Sequence, residues 1–263
     1  MKMEQILDEE ILIMLKGNRS LSKLYKDFTY SKEFRETCDA ANDLVVRRLG
    51  YNDHGIVHGK IVARNALKLF YLLKKAGAKF NFTQENAGNE EDVKLILLLS
   101  SLMHDTGNSI HRAEHFLHST ILSESLMEGM EISTRKKLAI LECIYAHDET
   151  IVATSIEASI VKIADALDME QGRARMPFEK GHMDIHTVSA LAISKIAIEQ
   201  GAAKPVLIRV HMSCVSGIFQ VQEMLLKQIK QGKLSEYVDI DVLMDEGASC
   251  AANLGEIMNL KVK

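Results

Sequence analysis

"LLLSSLMHDTGNSIHRAEHFLHS", residues 97–119, carries an oily run into His104-Asp105 and then places His111, His115 and His118 within the next fourteen residues. The run is nearly all apolar back to Val93, which predicts a helix buried on most sides. An unpaired carboxylate at the end of such a helix is expensive to bury. A metal cation offsets that cost, and adjacent His and Asp side chains at a helix terminus can reach one ion together.

Outward from this stretch the helical period continues. Residues 1–178 contain one proline, Pro177, and their apolar residues recur three and four apart, which predicts helices over 4–16, 32–48, 57–76, 91–105, 112–128, 133–147 and 154–170. Gly17 and Gly77 stand where helices should end, and Ser133-Thr134 and Thr154-Ser155 offer hydroxyl caps. The polar stretch 82–92 reads as a loop. Farther on, "VSALAISKIAIEQG" and "AKPVLIRVHMS" alternate residue by residue as two strands around a Gly-Ala turn. "GIFQVQEMLLKQIKQGKL" follows as an amphipathic helix and "YVDIDVLMD" as a third strand. The expected architecture is mainly α: a helical domain over 1–178, then a small α+β accessory domain over 179–263. Its order is strand-strand-helix-strand and its sheet mainly antiparallel.

The chain's 263 residues suffice for a sizeable core. Lys and Arg number 32 against 36 Asp and Glu, a formal charge of -4, so no broad nucleic-acid or membrane-binding surface is expected. A local arginine cluster would still hold a small phosphate. The four cysteines, at 38, 143, 214 and 250, show no CxxC spacing. Neither a disulfide framework nor a thiolate zinc site is therefore expected, and a reducing cytoplasm fits. The first residues do not follow a basic stretch with an uninterrupted apolar core, and no apolar run approaches ~20 residues. The expectation is a soluble, unprocessed, cytoplasmic chain.

Two further segments repeat the device of the opening stretch. "YNDHGIVHGKIVARNALKLF" carries His54 and His58 four apart, so both imidazoles face one way at the start of a helix. In "SIVKIADALD" the apolar pattern is interrupted by Asp165, which needs a partner. The order His58, His104-Asp105, Asp165 resembles the signature of the HD-domain metal-dependent phosphohydrolases, across about residues 50–175 of the sequence. The resemblance implies an HD-type helical bundle in which these four side chains bind one divalent ion, with Asp105 able to bridge to a second. Two-metal members of the family add two histidines. His147 fits the second, and His115 is preferred as the first because Ser119 and Thr120 follow one turn later; His118 is the alternative. His111 and His54 are expected to orient ligands or meet substrate. Some relatives carry lysine after the glycine of this stretch, where this chain has Asn108.

One or two divalent ions, of manganese, iron, cobalt, nickel or magnesium, suit such a ligand set and would activate water for attack on a phosphate ester. Charge on the phosphoryl oxygens calls for fixed cations: Arg173 and Arg175 in "DMEQGRARM", and Arg112. Asp168, one helical turn after Asp165, could accept a proton or orient a ligand. The expected activity is hydrolysis of a nucleotide or other small phosphate ester, by a phosphomonoesterase or a phosphodiesterase. Two rival readings exist. One is a non-catalytic nucleotide-binding regulator; the other is a zinc peptidase in which His111 and His115 of "HRAEH" bind zinc and Glu114 activates water. His182, His186 and His211 read as ordinary residues, and the C-terminal unit as a means of forming a homodimer or binding a regulator.

Overall fold

The computed structural model describes residues 3–170 and 189–248. Pro177, the expected boundary near 178, Arg173, Arg175, His182 and His186 lie outside the described residues. The helical part consists of α1 (Met3–Met14), α2 (Arg19–Thr29), α3 (Lys32–Asn42), α4 (Ile56–Lys75), α5 (Asn81–Gln84), α6 (Glu90–Met103), α7 (His115–Leu126), α8 (Thr134–Ala146) and α9 (Ile156–Ala166). α6 is the axis of the bundle: from Val93 to Met103 only Leu95 is not fully buried, and the helix packs against α4, α8 and α9. Its start is fixed by Asn89 and Asp92, each side chain accepting from the other residue's backbone region in a reciprocal cap.

Several sequence expectations are corrected here. The segment 19–29, left unassigned, is α2. Its signals were present, since Leu21, Leu24, Tyr25 and Phe28 share one face and the Asn18 side chain accepts from Leu21 N. The loop expected over 82–92 begins with the short α5, whose first amides donate to the carboxylate of Glu157 on α9. The helix expected over 32–48 widens rather than running straight through: Asp43–Arg48 is π-helical, with hydrogen bonds five residues apart. The helix expected to begin at 112 begins at His115. Cys38 and Cys143 are free and buried. Cys214 is disulfide-bonded, against expectation, because spacing along the chain does not report proximity in space.

In the C-terminal part, β1 (Ile193–Gln200) pairs antiparallel with β2 (Val206–Met212), and β2 pairs parallel with β3 (Val238–Met244). The sheet is thus half parallel rather than mainly antiparallel. The reason is the intervening helix, π-helical Gln220–Leu226 running into α10 (Lys227–Lys230): a helical crossover returns the chain to the same end of the sheet, so the next strand runs parallel. Alternate residues of β2, namely Val206, Ile208, Val210 and Met212, are buried. They belong to the same continuous apolar core as α4, α6 and α9. Ala153 N donates to Gln231 O at 2.9 Å and Lys233 N to Ser159 Oγ at 2.9 Å, which moors α10 to α9. Among the described residues no helix is long and apolar enough to cross a membrane.

α1 is fastened to α4 by a polar knot rather than by apolar contact alone. Lys60 is fully buried, and its ammonium meets Glu4 at 2.8 Å and Asp8 at 2.6 Å. Tyr25 and Tyr30 donate to the two oxygens of Asp8, and Arg35 to Glu4. Burial opposes ionisation of both carboxyls, but the Lys60 bonds, with those of Arg35 on Glu4 and of Tyr25 and Tyr30 on Asp8, outweigh it and hold both below their ordinary values. A carboxyl depressed on folding stabilises the fold above its unfolded pKa, and that contribution is lost as pH falls through the folded value. Lys60→Ala leaves Asp8 buried without its cation and should cost about 3–5 kcal/mol in urea unfolding at pH 7. The difference from wild type should shrink as the pH is lowered below about 4.

Candidate metal centre

Five helix ends deliver the expected ligands to one place. His58 lies in the first turn of α4, His104 caps the end of α6, His115 begins α7, His147 caps the end of α8 and Asp165 sits in the last turn of α9. Three of these are C-termini, whose unpaired carbonyls carry partial negative charge and favour a cation. Close approach is permitted by two glycines. A Cβ on Gly59 would stand 3.1 Å from Leu102 O, between α4 and α6, and one on Gly107 would stand 2.1 Å from His115 O. Gly107 N donates to Ser119 Oγ at 2.8 Å, which clamps the start of α7 against the His-Asp corner.

The side chains form two groups that share Asp105. His58 Nε2 lies 3.1 Å from His104 Nε2, 3.1 Å from Asp165 Oδ1 and 3.3 Å from Asp105 Oδ2. His115 Nε2 and His147 Nε2 are 3.1 Å apart and lie 3.4 and 3.7 Å from the other oxygen, Asp105 Oδ1. His115, not His118, is therefore the histidine of α7 that reaches Asp105. His118 is half-buried and its Nδ1 has no hydrogen-bond partner among the described residues. His58, His104, Asp105, His115 and His147 are buried, and Asp165 is the most open of the six, its side chain 26% exposed.

The ring orientations show what these groups can hold. His104 Nδ1 donates to Ser101 O at 2.8 Å and His147 Nδ1 to Ile144 O at 2.5 Å, while His58 Nδ1 meets Asp168 Oδ2 at 2.6 Å. A carbonyl accepts only, so Nδ1 of His104 and of His147 carries a proton, and it is Nε2 of each ring that faces the centre. Two imidazole Nε2 atoms 3.1 Å apart are satisfied either by one shared proton or by a cation that both ligate, and each of the two contacts is of this kind. The residues fit one or two divalent ions on this ground. Two sets able to hold an ion are His58, His104 and Asp165, and His104, Asp105 and His147.

Electrostatics agree with the division. Burial pushes the His104 proton off, but Asp105 and Asp165 outweigh it and raise the ring to about 9. Burial lowers His147, reinforced by its histidine neighbours, and lowers His115. Burial resists the charge of Asp105 and Asp165, yet the surrounding imidazoles hold both far below the ordinary carboxyl range. The two ionised carboxylates that hold a proton on His104 carry the negative charge that complements a metal ion, which would take that proton's place.

The remaining sequence candidates have distinct places. Asp168 Oδ2 meets His58 Nδ1 at 2.6 Å, which fixes the orientation of that ring. Arg112 Nη1 donates to Asn108 Oδ1 at 3.2 Å, and Asn108 Nδ2 donates to Asp105 Oδ1 at 2.9 Å. The asparagine thus links the arginine to the shared carboxylate, a role sequence reasoning missed. His54 Nε2 stands 4.0 Å from Asp105 Oδ2. His111 is exposed, with Nδ1 accepting from Ala113 N. Because α7 starts at His115 and Glu114 is in the left-handed region (φ 55°), "HRAEH" is not a helical pair of zinc ligands.

A mainly helical bundle with His and Asp side chains converging from its helix ends is a candidate metal-binding centre. The HD domain family model matches residues 62–170, which include His104, Asp105, His115, His147 and Asp165 and begin just after His58. The chain is 38% identical over 241 residues to the uncharacterized protein MJ1020 of Methanocaldococcus jannaschii, covering 89% of this chain and 92% of that one. It belongs to the HD-domain metal-dependent phosphohydrolase superfamily. No solved structure matches the chain. Asp168→Asn should weaken divalent-ion binding about 10–100-fold, measured by calorimetric titration, through loss of the bond that holds His58.

Proposed function

We propose that this protein hydrolyses a small phosphate ester, a nucleotide being the favoured class, with one ion at His58, His104, Asp105 and Asp165 and a second at Asp105, His115 and His147. The observation that carries this reading is the Asp105 carboxylate, whose two oxygens face two different sets of imidazole nitrogens. When bound there, divalent ions supply an activated water and neutralise charge on the phosphoryl oxygens.

The chain's own residues do the rest. Ser101 O, Ile144 O and Asp168 hold the ligand rings in their tautomers. Arg112, steered by Asn108, offers a planar fork for phosphate oxygens on the Asp105 side. Arg173 and Arg175 are proposed to add to it from the segment after Asp165. The partners proposed are the small phosphorylated substrate and a second copy of the chain. The setting proposed is the cytoplasm, with the segment 179–263 as an accessory domain.

Asp105→Ala should release both ions and abolish hydrolysis while far-ultraviolet dichroism keeps its helical amplitude. The assay is a panel of nucleotides, cyclic nucleotides and dinucleotides with manganese, iron, cobalt, nickel or magnesium. Turnover surviving in that variant would overturn the site, and metal binding without turnover of any ester would favour the regulatory reading. Arg112→Met should lower kcat about a hundredfold with the metal content unchanged, the cost of removing one oriented donor from a developing anion.

A further inference from the structure

Lys162 belongs to no motif, yet it is fully buried one turn before Asp165 on α9. Its ammonium donates to Ala146 O at 3.2 Å, to Ile151 O at 2.9 Å and to Asp148 O, with His147 O at 3.5 Å. Ala146 O and His147 O close α8, where a helix leaves carbonyls without partners of its own, and Asp148 O and Ile151 O belong to the turn that follows. The first two also form the negative end of that helix, where a cation is best placed. An ammonium offers three protons and no acceptor, so the cage of main-chain oxygens matches its chemistry.

The consequence reaches the centre by geometry. The His147 ring takes its orientation from Ile144 O in the last turn of α8. Asp165 takes its position from α9, the helix that carries Lys162. We infer that Lys162 is a positioning residue: its buried ammonium locks the end of α8 onto α9 and so sets the second group, with His115 and His147, against the first. This rests on the metal reading given above. It adds that the two groups are registered by a cation that touches neither ion.

A structural role alone would weaken both groups together, whereas positioning predicts a selective loss. The full-length protein and Lys162→Met, an apolar residue of similar length, are titrated with manganese by calorimetry. Wild type should take up two equivalents. The variant should keep one within about twofold of its original affinity and bind the other at least tenfold more weakly. The weakened equivalent is assigned with His147→Ala, which should remove it, and the double variant Lys162→Met/His147→Ala should lose nothing further at that site. His58→Ala should remove the other equivalent.

Two unchanged equivalents in Lys162→Met overturn the inference and leave the metal reading standing; so does a single equivalent in wild type. Equal weakening of both overturns it as well, and no binding by wild type overturns both. If Lys162→Met does not fold, Lys162→Gln, which keeps a donor without the charge, is read in the same way. Failure of both to fold with manganese present makes Lys162 a requirement of the whole fold and ends the positioning claim.

Discussion

One buried carboxylate governs this structure. Asp105 follows an apolar helix into the interior, and each of its oxygens is met by imidazole Nε2 atoms, two of the surrounding rings, His104 and His147, being fixed through Nδ1 by main-chain carbonyls. Neither the carboxylate nor the crowded rings are comfortable by themselves, because an unsatisfied buried charge costs several kcal/mol, of the order of 3–5. Their discomfort has one common remedy in a cation. The bundle can therefore be understood as a frame that keeps five helix termini from relaxing apart.

That frame uses polar fasteners as much as apolar packing. Lys60 binds α1 to α4 two residues beyond His58, and Lys162 binds α8 to α9 one turn before Asp165. Both lysines are fully buried, and both are adjacent in sequence to metal-facing side chains. Charged groups are directional in a way that apolar contacts are not, so a misplaced helix end would leave an ammonium unpaired. Glycine complements them, since Gly59 and Gly107 allow backbones to meet where a Cβ would collide. The C-terminal sheet enlarges the same core against α4, and its crossover helix packs on α9.

Much of this was legible in the residue pattern. Helical spacing located α1, α4, α6, α8 and α9 to within a few residues, and alternation located all three strands. A carboxylate interrupting an apolar helix is unfavourable whatever the tertiary arrangement, so Asp105 and Asp165 announced themselves as needing partners. The unread helix α2 had its cap and its apolar face in plain order, and it was missed because its positive and polar residues diluted the pattern. The π-helical turns at Asp43–Arg48 and Gln220–Leu226 carry no periodic signal, because they follow from packing rather than propensity.

Local chemistry along the chain determined a helical protein with a candidate metal centre and a small β-containing extension, since periodicity and buried charge are properties of short segments. Only the tertiary structure decided that His115 rather than His118 meets Asp105. It also decided that Asp168 meets the His58 ring, and that β3 runs parallel to β2. It alone brought Asn108 and Lys162 into the account. Each of these depends on which helix ends and strands are neighbours in space, and contacts between residues such as His58 and Asp168, 110 positions apart, leave no trace in the spacing of either segment.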